Sequence, residues 1–195
     1  MTTRKLWLTG NETADRLLSE DPNALLLGMT LDQQVPMEKA FSGPAVIAER
    51  MGGKLDVAAI AAMDTEEFVA LCSQRPAIHR FPGSMGKRVQ QVCRALVDDY
   101  QGDAENLWAG VDDGAALFKR IKALPGFGDQ KAKIFVAMLG KLWGVTPKGW
   151  QQAAGEYGTK ELLSVADVTD EASLQKVREA KKRMKAAAKA AKEEA

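Results

Sequence analysis

The chain has 195 residues, with 27 Lys and Arg against 26 Asp and Glu and a formal net charge of +1. At 46% hydrophobic and 27% charged residues, it has the composition of one globular domain or two small ones, which excludes a largely disordered or fibrous protein. Two cysteines and one histidine exclude a disulfide framework, a four-thiolate cluster and most zinc sites.

The first residues, Met-Thr-Thr-Arg-Lys, are not followed by an apolar core with a small-residue cleavage site. The most apolar run, residues 24–29, is far short of the roughly 20 residues of a membrane span. A soluble, cytoplasmic chain is expected. That run, Ala-Leu-Leu-Leu-Gly-Met, is apolar on all sides and predicts a helix buried at the domain centre. Pro36 opens the next helix, proline being favoured in a first turn. Asp64-Thr65-Glu66-Glu67, ahead of Phe68, Val69 and Leu71, is a helix start with acids in its first turn. Val89, Val92, Cys93, Leu96, Val97 and Tyr100 recur at three- and four-residue spacing, predicting an amphipathic helix from near Ser84 to Gly102.

Leu117, Ile121 and Leu124 mark one face of the next helix; Ala132, Phe135, Val136 and Leu139 mark the one after, starting at about Asp129. Between them stands Pro125-Gly126-Phe127-Gly128, two glycines spaced for close backbone approach and positive φ, with Phe127 plugging inward. Gly144 to Pro147 and Gly149 break the pattern again, and shorter helices follow. From Leu174 an Ala- and Lys-rich helix former runs to the end, its last dozen residues projecting into solvent. No segment alternates with period two, so the fold class is all-α: a bundle of about ten helices.

The near-neutral total hides segregation. Residues 75–94 carry +5, residues 119–148 carry +6 and residues 176–192 carry +7, which leaves −17 on everything else. Such a division gives a neutral molecule local positive fields. For the tail, a solvated helix face is the simpler reading. For residues 119–148 it is not. A glycine turn leading into a helix N-terminus aims unpaired N–H groups outward, a ready phosphate grip, and Lys131 and Lys133 add charge beside it. An ordinary turn between two helices is the competing reading.

Leu124-Pro125-Gly126-Phe127-Gly128-x-x-x-Ala132 resembles the hairpin of the helix-hairpin-helix (HhH-GPD) DNA glycosylases, a motif placed here at 113–143. Residues 25–36, Leu-Leu-Leu-Gly-Met-Thr-Leu-Asp-Gln-Gln-Val-Pro, are similar to that family's apolar helix ending in Gln-Gln, about ninety residues upstream. The resemblance covers about residues 20–155. It implies a glycosylase-like domain over 1–173, a basic C-terminal helix over 174–195, and a monomer acting on double-stranded DNA, at the nucleoid if the source is bacterial. The DNA-binding residues it implies are Gln34, Pro125, Gly126, Phe127, Gly128, Gln130, Lys131 and Lys133.

Two departures from the family pattern bear on chemistry. Gln130 stands where bifunctional members place the lysine that attacks the sugar, so a Schiff-base mechanism is not supported. The loop expected to hold an aspartate reads Gly144-Val145-Thr146-Pro147-Lys148-Gly149-Trp150, and Glu156 is the nearest candidate acid. The two cysteines leave no iron–sulfur cluster. No metal ligands and no cofactor are expected, although the hairpin leaves room for a monovalent cation. The expected function is DNA-binding base excision repair by a monofunctional glycosylase. A catalytically inactive damage-sensing module on the same scaffold is the alternative. Trp108, Trp143, Trp150 and Tyr157 are core aromatics first and stacking residues second. His79 is either a phosphate contact or a structural histidine.

Overall fold

The computed structural model describes residues 4–193, and among these it contains ten α-helices and no β-strand. An extended N-terminal segment lies along α1 (Glu12–Glu20). Asp15 holds it there, its carboxylate accepting the N–H groups of Leu8 at 3.0 Å and Thr9 at 2.8 Å. Asp21 caps α2 (Pro22–Leu31) through the N–H groups of Asn23 and Ala24, and Pro22 occupies the first turn where no N–H is needed.

Every residue of α2 from position 24 to 31 is buried, as an all-apolar helix requires. α3 (Met37–Arg50) follows Pro36 and packs tightly on α2. Glycine permits that approach: a Cβ on Gly28 would stand 2.5 Å from the Phe41 ring, and one on Gly43 only 2.3 Å from Leu31 Cδ1.

α4 (Val57–Ala62) and α5 (Thr65–Ser73) pack on α6 (Pro82–Tyr100). Asp64 caps α5 through the N–H groups of Glu66 and Glu67. α6 begins at Pro82, two residues before the periodicity predicts, because proline's fixed φ suits the first helical position. Buried Gln90 ties the three helices together. Its amide nitrogen donates to the carbonyls of Ile60 at 3.0 Å and Met63 at 2.8 Å, and its oxygen accepts from the Thr65 hydroxyl at 2.8 Å.

After a 3-10 turn at Ala104–Leu107, α7 (Gly114–Lys122) and α8 (Asp129–Met138) form the hairpin, and α8 runs on into a π turn, Leu139–Trp143. The chain then returns to the start of α7: Lys148 N–H donates to Asp112 O at 2.9 Å, and Gly114 N–H to Lys148 O at 2.8 Å. α9 (Trp150–Ala154) and two 3-10 turns, Gly155–Gly158 and Val165–Asp167, lead to α10 (Glu171–Glu193). Asp167 is buried and binds Lys141 at 2.5 Å; its other carboxylate oxygen accepts the N–H groups of Leu163 and Ser164. On α10, Leu174, Val177 and Ala180 are buried against the bundle, whereas residues 181–190 are exposed on every side.

Candidate nucleic-acid interface

Leu124 and Phe127 anchor the hairpin turn in the core, and Phe127 meets Phe135 edge-on with ring centroids 6.1 Å apart. The two glycines differ. Gly126 has φ +81°, the left-handed region, and a Cβ there would lie 2.7 Å from Arg88 Cδ. Gly128 has φ −81° and ψ 178°, open to any residue, and a Cβ on it would meet nothing within 4 Å. Only Gly126, then, uses the positive φ that both glycines were expected to supply. What Gly128 leaves bare is backbone facing open space. It is the N-cap of α8 with no side-chain cap, so the first N–H groups of that helix are left for water or a ligand.

The charges around this terminus are arranged by contact. Asp129 is exposed and paired with Lys122 at 2.5 Å, which holds its carboxyl below the usual range. Lys131 turns toward the end of α2, where its ammonium donates to the Thr30 carbonyl at 2.9 Å and lies 5.7 Å from the Phe127 ring. Burial pushes the Lys131 pKa down, with neighbouring Asp32 opposing that shift and Arg88 adding to it. Asp32 is raised by burial, against the fields of Lys181 and Lys131. Lys133 runs alongside Gly155. Gln130 donates to the Tyr157 hydroxyl at 2.9 Å, and Glu156 borders the same hydroxyl. Burial raises the Tyr157 pKa, Gln130 opposing and Glu156 reinforcing it. Gln130 and the exposed Glu156, 26 positions apart in sequence, thus meet through Tyr157.

His79 is a structural histidine that shapes the neighbouring loop. Its Nδ1 accepts the Phe81 N–H at 3.0 Å, which puts the ring proton on Nε2 for donation to the Gln33 carbonyl at 2.9 Å. Burial lowers its pKa, keeping the imidazole neutral. The loop it fastens carries Gln34, exposed and at φ +57°, a conformation that non-glycine residues adopt only when their surroundings impose it. On the other side of His79 stands Phe81, 45% exposed, with the Arg80 guanidinium 5.3 Å from its ring.

Phe81 and Arg88 carry no sequence signal that singles them out as site residues. An exposed phenylalanine after Pro-Ala-Ile-His-Arg has no local signature, and the contact of Arg88 with Gly126 spans 38 positions. Trp108, Trp143 and Tyr157 are buried, and Trp150 covers Gly140, where a Cβ would lie 2.4 Å from the indole. Cys72 and Cys93 are buried free thiols pushed up to about 12. Among the described residues no group of three His, Cys, Asp or Glu could hold a metal, and no helix is long and apolar enough to cross a membrane.

A family model described as "HhH-GPD superfamily base excision DNA repair protein" matches residues 27–195. No curated protein and no solved structure matches the chain.

Proposed function

Because the chain belongs to the HhH-GPD superfamily of base excision DNA repair proteins, we propose that it is a monofunctional DNA glycosylase that hydrolyses the N-glycosidic bond of a damaged or mispaired base after flipping it from the duplex. The observation that carries this reading is the uncapped N-terminus of α8, with the open backbone of Gly128, on the same scaffold as two projecting side chains, Gln34 and Phe81.

In this reading, the free N–H groups of α8 take one phosphate, favoured by the helix dipole, while Arg88 and Lys131 supply positive field behind it. Phe81 enters between base steps and Gln34 fills the place of the extruded nucleotide, as apolar wedges and polar probes do in kinked duplexes. Flipping costs a few kcal/mol, least where pairing is already weakened, so damaged or mispaired sites are favoured. Bond cleavage leaves the electron pair on the base and a cation on the sugar. Glu156 is the carboxylate that takes a proton from the attacking water, its setting fixed by Tyr157 and Gln130. With glutamine at position 130 there is no amine to form a covalent sugar adduct, hence no strand cleavage. The turn's carbonyl oxygens, Leu124 among them with one lone pair on Phe127 N–H, are suitable donors for a monovalent cation that would add charge beside the phosphate.

The alternative is a damage-sensing module without catalysis. It is favoured by the exposure of Glu156, which leaves the carboxylate in bulk water and not in a site from which water is excluded. Single-turnover excision on a panel of lesion-bearing and mismatched duplexes decides between them. A free base with an intact sugar–phosphate backbone is expected on at least one duplex. Tight binding with no product on any of them would establish the sensing module, and loss of product in Glu156→Gln would identify the acid.

A further inference from the structure

For the ten residues beyond Ala180, α10 is exposed and strongly cationic. Residues 181–190 include Lys181, Lys182, Arg183, Lys185 and Lys189 with no acid, and all are exposed along a continuous helix. At about 100° per residue, Arg178, Lys182, Lys185 and Lys189 fall within about 60° of one another on the helix surface, and Lys181 about 60° to one side of Arg178. Those four therefore form one stripe with Lys181 beside it, while Arg183 lies about 100° beyond Lys182.

Where the stripe faces is set by its first member. Arg178 is paired with Glu38, in the first turn of α3, and Lys181 lies in the field of Asp32 at the end of α2. Between these two acids in sequence is the loop of Gln33 and Gln34. α10 thus leaves the bundle beside the loop assigned above to the flipped nucleotide, with its cationic face turned to that side.

We propose that the exposed part of α10 is a second DNA-binding element, an arm that lies along the phosphate backbone flanking the site held by the hairpin and Gln34. This rests on the DNA-binding reading of that site. Residues 181–193 span about 20 Å at 1.5 Å per residue, which is about six base pairs of duplex. Lysines neutralise phosphates without reading bases, so the arm adds affinity, salt dependence and footprint but no sequence preference. Its occupant is the DNA phosphate backbone because residues 181–190 carry five cations and no acid on a helix that leaves the bundle beside the proposed interface.

The test uses the full chain and a short undamaged duplex, with affinity read by fluorescence anisotropy across a potassium chloride series. Lys182→Glu/Lys185→Glu changes two exposed positions and leaves the far-ultraviolet helical signal intact. Each lost phosphate contact lowers the slope of log K against log salt by about 0.9, so the double variant is expected to lose about 2 from it. A control of equal net charge, Arg16→Glu/Lys54→Glu on the α1 side, is expected to keep the wild-type slope. An unchanged slope in the α10 variant, with wild-type binding intact, overturns the arm and spares the hairpin reading. An equal loss in the control reduces the effect to bulk charge and overturns it as well. Absence of salt-dependent duplex binding by the wild type removes the underlying reading and the arm with it.

Discussion

Replacing Gly126 and Gly128 by alanine, one at a time, separates what the hairpin needs in order to fold from what it needs in order to bind. At Gly126 an alanine must adopt φ +81°, and the left-handed region costs an L-residue about 1–2 kcal/mol. Its Cβ would also stand 2.7 Å from Arg88 Cδ and 3.1 Å from two guanidinium nitrogens, so Arg88 has to leave the turn. For a domain of this size, Gly126→Ala should lower Tm by about 2–8 °C. At Gly128 the backbone accepts alanine, and no atom lies within 4 Å of the new methyl. Alanine caps a helix less well than glycine by about 0.5–1 kcal/mol, and its stiffer unfolded chain returns about 0.4–1 kcal/mol, so the net change is near zero. On the proposed reading, however, the methyl stands in the phosphate approach. Losing one hydrogen bond to a charged group removes about 1.5–3 kcal/mol, a tenfold or greater loss of affinity. Thermal unfolding and duplex-binding anisotropy on both variants give the comparison. If Gly128→Ala binds duplex as well as the wild type does, the open backbone is not a phosphate site. If it unfolds as early as Gly126→Ala, the glycine is there for the fold.

Three further outcomes are expected. His79 has its folded pKa below the ordinary 6.5, so the unfolded chain takes the proton first; its stabilisation is complete above pH 6.5 and is lost as pH falls from there toward the folded value, by at most about 1.4 kcal/mol per unit. Denaturant unfolding between pH 7.5 and 5.5 should show this slope in the wild type and a shallower one in His79→Gln. Lys141→Met leaves buried Asp167 charged without its cation, costing about 3–5 kcal/mol, and Lys141→Met/Asp167→Asn should recover part of that in urea unfolding. Phe81→Ala removes an exposed ring and should leave Tm nearly unchanged while reducing duplex bending measured by end-to-end energy transfer.

The elements that the sequence made legible are those whose determinants are local. Asp64 caps the helix it precedes, residues 24–31 are buried because no face of that run is polar, and α8 starts at Asp129, after the extended residue Gly128 that closes the glycine turn. The hairpin itself is read from four residues. What remained hidden depends on partners far along the chain. Lys131 meets a carbonyl 101 positions away, His79 one 46 positions away, and Gln130 meets Tyr157 across 27. None of these leaves a periodic or compositional trace. The positive φ of Gln34 is similarly invisible, since it comes from the loop that His79 fastens and not from glutamine's own preference. Gly128 shows the limit most clearly: sequence puts it beside Gly126 as an equal, whereas in the fold one glycine serves the chain and the other leaves space outside it.

The hydrogen bond from Lys131 to Thr30 spans the gap between the hairpin and the end of α2, a helix with no exposed face along its last two turns. On the proposed reading, the span from the hairpin to the loop of Gln34 is set largely by packed core, with His79 and Lys131 fastening the loop and the hairpin to it. A duplex laid across such a span must then do the yielding itself. Sites that bend cheaply, through a lost base pair or a weak stack, would conform at the least expense, so that on this reading rigidity in the protein becomes discrimination at base positions it never touches.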